Sequence, residues 1–346
     1  MNRNVFFALL AAVLFGASTP FAKQLVGSLS PILLAGLLYL GSGVGLGAIR
    51  LVRDRGWKPP GLPRSDWPWL MGAIVFGGVV APVALMFGLM STSGSTASLL
   101  LNLEAVLTAL IAWVVFKENA GHRMVIGMFA IVAGGVVLSW PTNGAASDEW
   151  RGPVLIGIAC LCWAIDNNLT RQVSASDAIF IAASKGVVAG MVNTVLALSL
   201  GAALPSFGVG LGTMVVGLAG YGVSLVLFVL ALRGLGTART GAYFSMAPFI
   251  GAAVSVMVFG EATGFVFWLA ATLMGLGLWL HLTEAHAHDH LHLQTTHDHT
   301  HTHDAHHQHA HDFPWNGSGV HQHAHTHAVV RHHHPHFPDI HHRHEH

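Results

Sequence analysis

Apolar residues fall along the first 282 positions in ten blocks, near 5–24, 31–50, 68–90, 94–116, 122–140, 152–171, 178–200, 208–232, 238–260 and 265–282. Each block is close to the roughly 20 residues that an α-helix needs to cross the hydrocarbon core of a bilayer. Short polar turns separate the blocks, and no soluble domain intervenes. The expected fold is an all-α polytopic membrane protein with ten transmembrane helices. The first block, VFFALLAAVLFGAS after Arg3, has the outline of a signal peptide. Its counterpart later in the chain has no such role, so it is expected to be a retained helix.

The blocks form two weakly similar sets of five. The segment beginning at Leu103, LEAVLTALIAWVVFKENAGHRMVIGMFAIVAGGVVLSW, matches MAPFIGAAVSVMVFGEATGFVFWLAATLMGLGLWL from Met246, aligning Glu118 with Glu261 and Gly134 with Gly277. The sets also begin alike, because GASTPFAKQ from Gly16 matches AIDNNLTRQ from Ala164 and sets Lys23 on Arg171. An odd number of crossings per set turns the second copy upside down. Inverted repeats place a substrate site near the midplane at their interface. The expected organisation is a first repeat over 1–143, an inverted second repeat over 150–282 and a tail over 283–346.

Composition agrees with a membrane class: 53% of residues are hydrophobic and 9% charged, against about a quarter charged in a soluble globule. Residues 1–280 hold 14 Lys and Arg against 9 Asp and Glu, too even a balance to imply nucleic acid as a partner. Positive residues accumulate on the cytoplasmic side. With the N-terminus inside, eleven loop cations fall there, Arg50, Arg53, Arg55, Lys58 and Arg64 among them, and only Lys23 and Arg151 fall outside. Both termini are therefore expected in the cytoplasm of a bacterial inner membrane. Cys160 and Cys162, the only cysteines, point apart on a helix and suggest neither a disulfide nor a metal site.

The repeat, the ten blocks, the orientation and the acidic residue closing blocks four and nine (VFKE to Glu118, VFGE to Glu261) together resemble the drug/metabolite transporter superfamily, specifically its two-domain EamA-type carriers. The resemblance covers residues 1–282. It implies a ten-helix bundle whose central cavity is lined mainly by the first, third and fourth helices of each half, and movement of small metabolites or their analogues. It names no substrate and implies no enzymatic activity.

Several residues stand out within the spans. Glu104 lies in TASLLLNLEAVLTALIAWVV, and a carboxylate at such depth is rare and functional by default. Its position in the second repeat is held by Ala247. Asp166, Asn167 and Asn168 form a polar step after Trp163 in CLCWAIDNNLTRQ. They offer hydrogen-bond partners to a cationic or hydroxylated solute, or to backbone freed by a broken helix, while the Trp163 ring offers a face for a planar or cationic one. Lys185 adds a positive charge in span seven, and a Lys185–Asp166 pair would neutralise both. Glu118 and Glu261 are expected to cap the helices that follow them, and Lys23 and Arg171 to act as snorkelling anchors.

From His281 the chain changes character, with 25 of its 26 histidines in the last 66 residues. Too few large apolar residues accompany them for a core, so a disordered tail is expected. Alternating histidines recur at His286, His288, His290 and His292, at His297, His299, His301 and His303, and at His321, His323, His325 and His327. Neutral imidazole suits zinc, nickel, cobalt and copper, so the tail is a candidate metal binder with many overlapping sites. No cofactor is called for.

The function expected is a secondary carrier of small organic solutes by alternating access, with export as the assigned direction and small molecules, the bilayer, tail metals and a second copy of the chain as partners. The competing expectations are a Ni, Co or Zn exporter fed by the tail, and a non-transporting metal sensor or store.

Overall fold

The computed structural model describes residues 3–115, 122–140, 150–173 and 176–283, with the backbone of 286–292, 295–301, 321–327 and 330–336. Of residues 232–234, 236–239, 242, 281 and 282 it describes the backbone. Two compact units result, Met1–Glu284 and Ala285–His346.

The larger unit is helical. Its elements are α1 (Arg3–Leu25), α2 (Pro31–Asp54), α3 (Arg64–Ser91), α4 (Gly94–Val114), α5 (His122–Ser139), α6 (Arg151–Val173), α7 (Ala178–Ser199), α8 (207–244), α9 (Ala247–Met257) and α10 (Phe265–Leu282). Eight of these are long and apolar enough to cross a membrane: α1 to α7, and Phe207–Ala231 within α8. The other two, Ala247–Met257 and Phe265–Leu280, are apolar but shorter. Lipid-facing composition is visible in the exposed ring of large side chains, including Phe129 at 71% and Val195 at 65% exposure. Soluble proteins rarely expose so many large apolar side chains together.

Ten separate full-length spans were the expectation, and the turn anticipated between 232 and 238 is where the structure differs. The backbone stays helical through it to Phe244 and breaks at Ser245 and Met246 instead. Proline explains the position: Pro248 sits in the first turn of α9 and has no N–H to return to the Phe244 carbonyl. Nothing comparable stops the helix at Gly234 or Gly236.

Start signals are conventional elsewhere. Ser30 caps α2 at the Leu33 N–H, Ser93 caps α4 at Thr96, and Asp177 caps α7 at Ile179. At the other end of α2 the chain turns at Arg55 with φ of 54°, its N–H bonded to the Val52 carbonyl while the Gly56 N–H reaches Leu51.

Two irregularities recur under the alignment that sets Glu118 on Glu261. The third helix of each set contains a π segment, Ile74–Val80 in α3 and Leu218–Val223 in α8. The fourth is broken, at Leu101 between Gly94–Leu100 and Asn102–Val114, and at Ser245–Met246 before α9. Packing follows the same exchange: α2 lies on α7, α5 on α10, α1 on α8 and α9, and α6 on α3 and α4. Close approach of α2 and α7 requires glycine, since a Cβ on Gly43 would overlap the Gly186–Val187 backbone and one on Gly186 would overlap Gly43.

In the smaller unit the described segments are extended. β1 (His286–His292) pairs antiparallel with β4 (Val330–His336), and β2 (Thr295–His301) with β3 (His321–His327). This departs from the disordered tail expected. Antiparallel pairing satisfies backbone groups that a histidine- and threonine-rich segment cannot bury in a core.

At the end of the bundle where α2 and α7 meet a loop, Asp177 holds two arginines. Its Oδ2 accepts from Arg50 Nε at 3.1 Å and Arg53 Nη2 at 2.6 Å, and the Arg50 guanidinium lies between the Trp57 and Phe180 rings at 5.4 and 5.3 Å. Burial works upward on the Asp177 carboxyl, but the hydrogen bonds from Arg53 and Arg50 outweigh it and hold the pKa down at about 2. A depressed carboxylate stabilises the fold at pH values above its unfolded pKa, and that contribution is lost as pH falls through the folded value. Asp177→Asn is therefore expected to cost about 2 kcal/mol at neutral pH. In detergent the gap in melting temperature between wild type and variant should persist down to about pH 4 and close toward pH 2.

Candidate functional site: a polar core around the α3 bulge

A π segment shifts the backbone ladder by one residue, so the Ala81 N–H reaches back to the Phe76 carbonyl and carbonyls beside it need other donors. Three helices supply them. Tyr39 Oη on α2 donates to the Gly77 carbonyl at 2.7 Å, and Trp163 Nε1 on α6 donates to the same oxygen at 3.0 Å. Asn193 Nδ2 on α7 donates to the Gly78 and Val79 carbonyls at 3.3 and 3.4 Å. In hydrocarbon no water stands in for these bonds. Trp163 is thereby committed to the bulge by its N–H, and its ring meets Phe15 edge-on at 6.3 Å. Phe15 in turn contacts Tyr221 at 6.0 Å and Phe244 at 5.4 Å.

Gly77 also makes room for a charge. A Cβ there would overlap the Asp166 carboxylate. Asp166 accepts both hydrogen bonds of a bidentate contact with Lys185 Nζ, at 2.6 and 2.7 Å, and a third from Thr170 Oγ1 at 2.8 Å. The two charged side chains are each 8% exposed. The pair that the sequence suggested is thus formed, and it leaves Lys185 occupied. Asn168 Nδ2 bonds mainly to the Ala164 carbonyl of its own helix at 2.8 Å, with a longer contact to the Thr108 carbonyl at 3.4 Å.

Glu104 and Asn167 are different. Glu104 lies in the first turn after the α4 break, where Asn102 Nδ2 satisfies the Leu99 carbonyl at 2.9 Å. Glu104 Oε1 accepts from Asn167 Nδ2 at 2.8 Å, and the same Nδ2 lies 3.4 Å from Thr108 Oγ1, one turn along α4. Asn167 is exposed and Glu104 half-buried. Among the described residues Glu104 takes part in no ion pair, so this carboxylate has one neutral donor and a free oxygen.

One expectation about span ends needs revision. Glu261 does cap a helix, but the helix is α4 rather than the one that follows it, its carboxylate accepting from the Gly94 and Ser95 N–H groups. Lys23, expected as a snorkelling anchor, donates to the Leu89 carbonyl at the end of α3 at 2.5 Å. Glu118 lies outside the described residues, as does His303; the other eleven tail histidines singled out lie on β1, β2 and β3. Register sets His297 opposite His325, His299 opposite His323 and His301 opposite His321. Among the described residues no three His, Cys, Asp or Glu side chains gather as for a metal ion.

Tyr39, Thr108 and Thr170 were not anticipated. Thr108 stands four residues after Glu104 and Thr170 four after Asp166, the spacing of helical neighbours, and Tyr39 is one of only three tyrosines in the chain.

Comparison with known proteins places this arrangement. Residues 2–140 match the EamA-like transporter family. That stretch of the chain is an EamA-like transporter domain. An uncharacterized transporter of Methanothermobacter thermautotrophicus is 27% identical over 271 residues, 72% of this chain and 78% of the relative. The uncharacterized transporter YyaM of Bacillus subtilis is 26% identical over 271 residues, 74% of this chain and 86% of the relative. A solved crystal structure superposes with a TM-score of 0.60 at 17% identity, covering 80% of this chain and 94% of its own, which is a likeness of fold alone. This EamA-like protein is an integral membrane transporter and not an enzyme.

Removing one partner of a buried ion pair leaves an uncompensated charge, which costs about 3–5 kcal/mol, whereas replacing both is far milder. Asp166→Asn and Lys185→Met are each expected to cut the yield of monodisperse protein and lower its melting temperature, and the double variant to recover most of the loss. Additive losses in the double variant would show that the two charges do not act as a pair.

Proposed function

We propose that this transporter carries small organic solutes bearing an amino or hydroxyl group by alternating access, with Glu104 as the residue that binds the solute or a coupling proton. The observation that carries the proposal is the incomplete satisfaction of Glu104. Among the described residues Asp166 has a cation and three hydrogen bonds, while Glu104, beside a helix break, has a single neutral donor in Asn167. A carboxylate half-buried among helices with only one neutral donor is poorly compensated, and a site that alternates between loaded and empty needs such a group.

Support for two inverted halves, 1–143 and 150–282, comes from the matched π segments, the matched breaks and the exchange-symmetric packing. Discontinuous helices meeting at a repeat interface are where carriers place their sites. The loop cations favour both termini on the cytoplasmic side. Glu104→Gln keeps the shape and removes the charge. It is expected to lower uptake of an amine-bearing substrate into vesicles by about tenfold or more, the scale of one charge-assisted hydrogen bond, without changing the amount of folded protein. Unchanged rate and pH dependence would make Glu104 structural. A screen of metabolites and metal ions in the same vesicles identifies the solute.

The tail supplies a second reading, because its histidine density suits capture of Zn, Ni, Co or Cu. We assign it a regulatory role. Calorimetry at pH 7.5 should find several ions bound per full-length chain and few after truncation at His281, with release below about pH 6 as imidazoles protonate. Solute flux should survive truncation and lose its metal dependence. A fall in metal efflux would instead make the metal the cargo.

A further inference from the structure

The turn joining α3 to α4 is held by two charges, one on α1 and one in the segment after α9. The last carbonyls of one helix and the first N–H groups of the next converge there, so the turn presents a negative and a positive helix end side by side. Lys23, at the end of α1, donates to the Leu89 carbonyl at 2.5 Å. Glu261, after α9, accepts from the Gly94 N–H at 2.8 Å with one oxygen and from the Ser95 N–H at 2.7 Å with the other. Each end receives the charge that complements it. Phe21 meets Phe259 edge-on at 5.3 Å beside them, and on the far side of the turn a Cβ on Gly152 of α6 would overlap Thr92.

Two features distinguish this cluster from an ordinary helix cap. The capping carboxylate lies 167 residues from Gly94 in sequence and belongs to the other repeat, so its bonds join the halves across their interface at one end of the bundle. The site is also cut to fit, because a Cβ on Gly94 would sit 2.9 Å from Glu261 Oε1 and 2.8 Å from Ser255 Oγ.

We propose that Glu261 and Lys23 form a latch that closes the outer mouth of the transport pathway. Opening that mouth requires α1 and α9 to part from the α3–α4 turn, which breaks the Glu261 and Lys23 bonds together and returns both charges to water. They are positioning residues: neither touches the Glu104 site, and their effect is on how often it is reached from outside. The assignment rests on the alternating-access reading and orientation given above.

The test uses the full chain in a Cys160→Ala, Cys162→Ala background with Asn167→Cys as reporter, labelled by a membrane-impermeant maleimide in right-side-out and inside-out vesicles. Glu261→Gln, Lys23→Met and Gly94→Ala should each raise the labelling rate from the outer face about tenfold, the equivalent of one charge-assisted hydrogen bond lost, and lower it from the cytoplasmic face. A rise confined to the cytoplasmic face would uphold the latch and overturn the orientation. Unchanged rates on both faces, or a parallel rise on both with a lowered melting temperature, would make the cluster a plain structural cap and overturn the proposal. If Glu261→Gln fails to reach the membrane, Gly94→Ala answers alone, because it keeps the carboxylate and displaces it. Solute transport by the parent protein is measured separately, so loss of the latch does not bear on the Glu104 reading.

Discussion

Hydrocarbon supplies no hydrogen bonds, and every interruption of a helix inside it must be answered by another part of the chain. That constraint organises this protein. The π segment of α3 exposes carbonyls at Gly77, Gly78 and Val79, and Tyr39, Trp163 and Asn193 come from three helices to meet them. The α4 break is met by Asn102, and the ends of α3 and α4 by Lys23 and Glu261. Because the donors lie on other helices, each irregularity also fixes a tertiary contact. Hydrophobic attraction cannot do this in lipid, where the surroundings are as apolar as the side chains.

The same accounting separates the charges. Asp166 and Lys185 neutralise each other against the space left by Gly77, and Thr170 takes up remaining hydrogen-bonding capacity. A pair so completed is a fastening. Glu104 sits one α4 turn from Thr108 and, among the described residues, has a single donor from a neutral amide, which is why it is the carboxylate proposed above for solute or proton binding. Depth in the membrane alone does not distinguish these carboxylates; the count of partners does.

Much of this was legible in the sequence. Block length marked the apolar helices, the Lys23–Arg171 and Glu118–Glu261 alignments suggested a repeat, and opposite charges at positions 166 and 185 suggested their pairing. What was not legible depends on geometry between distant segments. Periodicity carries no mark of a π segment, so Gly77 looked like any packing glycine and Trp163 like a stacking surface. The capping target of Glu261 is set by tertiary proximity rather than by the next helix in line. The helix through 233–237 was missed because a charged, glycine-containing stretch looks like a turn, whereas the actual stop is imposed by Pro248.

Scaffold and site differ in symmetry, and the difference has a mechanical consequence. Matched π segments, matched breaks and exchanged packing partners give each half the same set of joints, so a motion available to one face has a counterpart at the other. In the alternating-access cycle proposed above, two states related in this way need to lie close in energy if neither is to trap the carrier. Glu104 faces no such counterpart, since Ala247 holds the equivalent position. If Glu104 is the solute- or proton-binding group proposed above, a single charge in this frame binds one solute or one proton per cycle, and its interaction with that ligand is what biases the equilibrium between the two faces.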